Sequence, residues 1–130
     1  MKKFLLLVVL VVVAGALTGS GVTPTRAAAT EESITIIATV YVTPGREDEF
    51  VARNVKLVAY VHKEEPNTIY RLHRSKKDPT VFVYYEHYPS QAALDYHSKV
   101  VLPAFNKEFP RPEGLLARPI ENDKYQLVFD

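Results

Sequence analysis

The sequence predicts an α+β domain in the ferredoxin-like, split βαβ arrangement, an antiparallel sheet packed against two helices. Three observations predict it. Stretches of β-branched and aromatic residues with a period of two are interspersed with stretches whose apolar residues recur at helical spacing. The order of these stretches is strand, helix, strand, strand, helix, strand, and six such elements in about 100 residues make one such unit. The second and third strands are separated only by a short polar turn, which joins neighbours antiparallel.

The domain begins after a distinct N-terminal segment. Of the 130 residues, 47% are hydrophobic, but they are unevenly placed. Lys2 and Lys3 precede an apolar run over residues 4–17, and small and polar residues follow it. This is the three-part pattern of a secretory signal. The run is about 14 residues long, short of the roughly 20 that a membrane-spanning helix needs. Ala27-Ala28-Ala29 offers an Ala-x-Ala site, and cleavage after Ala29 leaves residues 30–130 as the mature domain. A cut near Ala16 would leave a flexible tail, and an uncleaved signal would anchor the chain in the membrane. The expectation is an exported protein, periplasmic or secreted, with no stable membrane span after cleavage. The sequence has no cysteine, which excludes a lipid-modified cysteine and any disulfide. Removing Lys2, Lys3 and Arg26 from the 16 basic residues leaves 13 against 15 acids, a net charge of −2. That balance supplies no electrostatic pull toward nucleic acid or anionic lipid.

Within the domain, residues 33–43 alternate. Ile34, Ile36, Ala38, Val40 and Val42 share one face, while Thr35, Thr39, Tyr41 and Thr43 share the other with Ile37, the pattern of a half-buried strand. Thr43-Pro44-Gly45 ends it, because proline cannot continue a ladder and glycine turns freely. Residues 46–64 read as a helix. Glu47, Asp48 and Glu49 crowd its first turn, at the positive end of the dipole, and Phe50, Leu57, Val58 and Val61 form an apolar stripe that Asn54 joins. Pro66 forbids continuation, and Asn67 suits the left-handed turn that follows many helices. Residues 68–75 are a second strand, with Tyr70 and Leu72 opposite Ile69 and Arg71, and Lys76-Lys77-Asp78-Pro79 is the turn to a third, highly aromatic strand over residues 80–88. Pro89 ends that strand and Ser90 caps a helix that runs to Ser98 or Val100. Pro103 interrupts it, residues 104–109 form one more turn, residues 110–114 are a loop, and a last strand or hairpin lies within residues 115–120 and 125–129. One sheet face takes the helices. The other would leave Ile37, Tyr41, Val81 and Val83 in water, so a second sheet is the expected cover and a face-to-face homodimer the expected assembly.

The segment Val40-Tyr41-Val42-Thr43-Pro44-Gly45-Arg46-Glu47-Asp48-Glu49-Phe50 leads from a strand through Pro-Gly and an acidic turn to a helical Phe. It is followed by Glu65-Pro66-Asn67-Thr68-Ile69-Tyr70, by Asp78-Pro79-Thr80-Val81-Phe82-Val83, and by Glu86-His87-Tyr88 with Gln91-Ala92-Ala93-Leu94-Asp95-Tyr96-His97. In order and spacing these four pieces resemble the antibiotic biosynthesis monooxygenase family over roughly residues 34–109. Asn67 departs from that family's usual glycine and Tyr88 from its usual tryptophan. The resemblance implies a dimeric α+β barrel and the oxidation of quinol-like or polycyclic phenolic molecules by dioxygen, with no metal or flavin cofactor. Haem-degrading relatives carry an Asn on the first strand, a Trp on the second helix and a haem-ligating His beyond it. The matching positions here are Ala38, His97 and the neighbourhood of Lys107, which speaks against haem degradation.

Dioxygen is a triplet and reacts slowly with closed-shell molecules, but an electron-rich phenolate or carbanion can pass it one electron. A protein that promotes this binds a flat apolar substrate, helps to remove a proton and excludes water. An aromatic pocket with few polar groups does so. The sequence has no Gly-rich nucleotide motif. His97 on the second helix is the candidate catalytic base. Glu86 shares a strand face with Phe82, Tyr84 and Tyr88 and is the candidate to orient it; the competing reading is a structural hydrogen bond between the two. Asn54 either hydrogen-bonds a substrate oxygen or oxyanion or sits at the border of its stripe in contact with solvent. Tyr41, Tyr70, Tyr84, Tyr88 and Phe105 are candidates to line the substrate pocket. His62, His73 and His87 read as surface residues or helix-end charges, and four histidines without tight spacing do not make a metal site. Two functions follow. One is a cofactor-independent monooxygenase acting outside the cytoplasm on a small aromatic substrate and dioxygen. The other is a non-catalytic module of the same fold that holds a small apolar ligand or partner.

Overall fold

The computed structural model describes residues 32–128. The expected signal segment and its expected cleavage site lie outside those residues. Four strands and a helical layer make up the domain: β1 (Ile34–Tyr41), α1 (Glu47–Glu64), β2 (Ile69–Arg74), β3 (Val81–Tyr88), α2 (Gln91–Tyr96), a π-helical turn (His97–Val101), α3 (Leu102–Glu108) and β4 (Glu121–Gln126). The strands form one antiparallel sheet in the order β2-β3-β1-β4. This is the split βαβ arrangement expected from the order of the elements. Among the described residues no helix is long and apolar enough to cross a membrane.

Period-two alternation sorts the central strands. Ile36, Ala38 and Val40 of β1 and Phe82, Tyr84, Glu86 and Tyr88 of β3 are buried under the helices, and their odd-numbered neighbours are half-buried on the other face. Between β1 and α1 the Arg46 N–H donates to the Thr43 carbonyl at 3.0 Å, and Gly45 takes φ +84°, which an L side chain rarely adopts. In α1 the buried residues are Phe50, Asn54, Leu57 and Val61, spaced four, three and four apart. Phe50 packs on Phe82 with ring centroids 4.7 Å apart. The helix ends where the Glu65 N–H donates to the Val61 carbonyl at 2.8 Å.

Two elements differ from expectation. Pro103 does not interrupt the second helix. The Leu102 N–H donates to the His97 carbonyl, five residues back, in the π turn, and Pro103 then falls in the first turn of α3. Proline is tolerated there because its missing N–H is not needed. The start is as expected, with Ser90 Oγ accepting from the Ala93 N–H at 3.2 Å. The last strand does not use the expected stretch 115–120 and meets the expected stretch 125–129 only at Tyr125 and Gln126. Leu115 is instead fully buried in the core, and Leu116 makes a single bridge to Val42. The strand that pairs with β1 is the polar Glu121–Gln126, exposed along its length. Edge position explains its composition: backbone pairing holds it, so its side chains need not be apolar.

A Cβ on residue 45 would meet nothing within 4 Å, so Gly45→Ala carries only the backbone penalty of the left-handed region, about 1–2 kcal/mol. Urea unfolding should show a lower midpoint at an unchanged slope. An unchanged midpoint would mean that the turn does not hold this conformation.

Candidate active site

The helices do not close fully onto the inner sheet face. A cavity of about 520 Å³ lies between β1, β3, α1 and the α2–π segment. Ala38 is the small residue between Ile36 and Val40 on its floor, and Phe50, Leu57 and Leu94 add apolar wall. The polar lining from the sheet, α1 and α2–π includes Asn54, Tyr70, Tyr84, Glu86 and His97, with Arg53 and Arg111 further along. Five of the eight sequence-derived candidates therefore meet at one place.

His97 opens the π turn and is only 2% exposed. Its Nδ1 lies 2.6 Å from Oε2 of Glu65. A carboxylate only accepts, so Nδ1 is the donor. In the neutral ring Nε2 then carries the lone pair, and among the described residues it has no hydrogen-bond partner. The imidazole is flanked by the Tyr70 and Tyr88 rings, each with its centroid 5.2 Å away. Glu65 is 6% exposed, and its second oxygen, Oε1, is buried without a partner.

The orienting carboxylate is therefore Glu65 and not Glu86, which corrects the sequence expectation. Glu86 Oε2 accepts from the Tyr88 hydroxyl at 2.8 Å, because residues two apart on a strand project from the same face. Glu86 still lines the cavity near His97. Burial raises its pKa, the Tyr88 hydrogen bond and the His97 charge oppose that rise, and Glu65 adds to it.

Asn54 is also corrected in part. It does not touch solvent at the border of its stripe but is 2% exposed. Its Nδ2 donates to the Phe50 carbonyl at 2.6 Å, and its Oδ1 accepts from the Tyr84 hydroxyl. Tyr84 and Tyr70 stack with centroids 5.1 Å apart. Burial pushes the phenols of Tyr70, Tyr84 and Tyr88 well above their ordinary value, so all three remain hydroxyl groups at neutral pH.

The other candidates stand elsewhere. Tyr41 is on the opposite sheet face, where odd positions of β1 project. Its hydroxyl donates to Glu121 at 3.0 Å and the Arg118 guanidinium lies over its ring. Tyr88 stands behind His97, and Phe105 is fully buried in an aromatic layer with Tyr60 and Phe109. His62 and His73 are exposed, and His87 is half-buried against Thr35.

Sequence reasoning missed Glu65, Arg53 and Arg111. Glu65 had a signal: acids at a helix C-terminus oppose its dipole and need another reason to be there. Arg53 lies three residues after Phe50, on the same stripe. Arg111 sits in a loop without periodicity and had none.

The family described as antibiotic biosynthesis monooxygenase matches residues 33–101, a span that contains Glu65, Glu86 and His97. An uncharacterized protein of Synechocystis is 24% identical over 98 residues, covering 75% of this chain; the chain spans 65% of that relative's length. Among solved structures, a candidate antibiotic biosynthesis monooxygenase from Caulobacter crescentus superposes with a TM-score of 0.66 at 26% identity, over 77% of this chain and 93% of that one. A protein from Pseudomonas aeruginosa gives 0.66 at 24% identity, over 78% and 100% of the two chains. A candidate monooxygenase of the same kind from Nitrosomonas europaea gives 0.64 at 18% identity, over 76% and 93%. The last two share the fold with this chain.

The raised pKa of Glu86 has a consequence for stability. The folded chain holds that proton more tightly than the unfolded chain, so the contribution is complete at acid pH and is lost as the pH rises through the folded value. Glu86→Gln removes this dependence. Urea unfolding between pH 4 and pH 8, roughly the span above the ordinary carboxylate value, should show the variant gaining on the native protein as pH rises. A constant difference would contradict the shift.

Proposed function

This chain belongs to the antibiotic biosynthesis monooxygenase family, and we propose that its cavity is the active site of a cofactor-independent monooxygenase that oxidises a quinol or polycyclic phenol with dioxygen. The observation that carries this reading is the buried His97–Glu65 contact at the wall of a largely apolar cavity.

The ring of the substrate lies against Ile36, Ala38, Val40 and Leu57. His97 Nε2 takes the phenolic proton, and Glu65 stabilises the imidazolium that forms, as a carboxylate does for a positioned base. The electron-rich anion passes one electron to dioxygen, the two radicals combine to a peroxide anion that takes the proton back from the His97 imidazolium, and the resulting hydroperoxide loses water, leaving one oxygen atom in the product. Asn54 uses one amide hydrogen on the Phe50 carbonyl, and its second can donate to a substrate oxygen. The apolar walls keep water from competing.

The same proposal includes a second copy of the chain. The outer sheet face carries Ile37, Tyr41, Val83 and Tyr85, half-buried and uncovered by any element of the described residues. A second sheet packed face to face would cover it. Export through the N-terminal signal would place the reaction outside the cytoplasm.

Oxygen uptake with a panel of hydroquinones and anthrones tests the chemistry. His97→Ala should lower kcat/KM at least about 100-fold, within the range of general acid–base catalysis, and Glu65→Gln at least about tenfold. Uptake that His97→Ala leaves unchanged would remove His97 as the base. No uptake with any of these substrates would overturn the enzyme reading in favour of the ligand-binding module. For the assembly, sedimentation should give the mass of a dimer, and Val83→Asp should give a monomer. A native monomer would exclude the face-to-face pair.

A further inference from the structure

Arg53 projects from α1 into the wall of the cavity beside Asn54. Its Nη2 donates to Asn106 Oδ1 at 2.5 Å and to the Phe109 carbonyl at 3.0 Å, and its guanidinium carbon lies 5.0 Å from the centre of the Phe105 ring. These contacts hold the guanidinium in place without neutralising it. Its Nε is buried with no hydrogen-bond partner, and Nη1 has none among the described residues. Arg111, from the loop after α3, lines the same cavity. It stands near enough that its like charge adds to burial in lowering the pKa of Arg53. Among the described residues neither arginine forms a salt bridge. Arginine does not shed its charge in a protein, so two cations are held close together, one of them partly buried, with nothing opposite them.

Their surroundings increase the imbalance. Lys99 and Lys124 also line this cavity, whereas its acids are Asp95 and Glu86. Asp95 is engaged by Lys99 at 2.6 Å, and Glu86 lies among the aromatic residues at the far end of the strand face. Four cations therefore face two acids in a mature chain whose net charge is −2. A concave site with such a local excess concentrates anions. A neutral quinol would fill the apolar part of the cavity and leave the arginines unpaired.

We infer that the substrate is an aromatic acid, a phenol or quinol whose carboxylate is held by Arg53 and Arg111 while its ring occupies the apolar part of the cavity. This rests on reading the cavity as the substrate pocket. A carboxylate matches a guanidinium in plane and spacing. Its single charge meets the pair and leaves the rest of the cavity to the ring. The arginines thereby select among phenols and fix which ring position faces His97.

Two air-stable probes that differ only in the carboxylate test this: 1-hydroxy-2-naphthoate and 1-naphthol, titrated calorimetrically into the protein at low ionic strength. The naphthoate should bind at least about tenfold more tightly, the gain expected of a charge-assisted hydrogen bond, and the preference should shrink as salt is added. Arg53→Gln should abolish it. Because Arg53 also packs on Phe105, the deciding variant is Arg111→Gln, an exposed loop position, which should reduce the affinity ratio at least about fivefold. Equal affinities, or a ratio that Arg111→Gln leaves unchanged, would overturn the carboxylate site while leaving the proposed oxidation standing. Binding of neither probe would overturn both. A tenfold preference in a protein that consumes no oxygen with any phenol would sink the monooxygenase and keep the carboxylate site.

Discussion

A carboxylate and an imidazole withdrawn from water depend on each other. Glu65 and His97 are both almost completely buried, 2.6 Å apart, and removing one partner of such a pair typically destabilises a protein by about 3–5 kcal/mol because it strands the other. The pair can form only if the end of α1 meets the start of the π turn, two elements separated in sequence by β2, β3 and α2. Tyr70 and Tyr88 then close on the two sides of the ring. The contact thus joins the helical layer to the inner sheet face at the point where the cavity begins. It also engages Nδ1 with the carboxylate and leaves Nε2 as the unengaged ring nitrogen.

Around the cavity and the pair at its wall the domain gives up packing and pairing that a purely structural core would keep. Ala38 sits centrally on β1 where a larger residue would fill the cavity, and Glu65 Oε1 and Arg53 Nε are buried without partners. Departures of this kind gather at functional sites. Phe82, Phe105, Val61 and Val42, by contrast, are packed with almost no exposure.

Much of this was legible in the sequence because strand and helix periods are strict. Alternation in β1 and β3 placed Ile36, Ala38, Phe82, Tyr84 and Glu86 on one face, helical spacing placed Asn54 on the buried stripe of α1, and the Ser90 cap set the helix that bears His97. The failures have local causes. The π turn depends on one carbonyl accepting from five residues on rather than four, which no side-chain pattern announces, and it is what allowed Pro103 to be absorbed. β4 is an exposed edge strand whose polar side chains carry no period. Glu65 was passed over because it is the second of two adjacent acids before a proline, and its partner is 32 residues away. Tyr41 was counted with the pocket although its own alternation points it to the other face.

The central claim is that Glu65 accepts a hydrogen bond from Nδ1 of His97 and so leaves Nε2 as the nitrogen free to act as a base. Nitrogen-15 NMR of the histidine-labelled protein at neutral pH measures this directly. The account predicts a His97 ring whose Nδ1 has the shift of a protonated nitrogen, with a slowly exchanging, hydrogen-bonded proton, and whose Nε2 has the shift of a bare one. A His97 ring protonated on Nε2, or one exchanging freely with water, would contradict it.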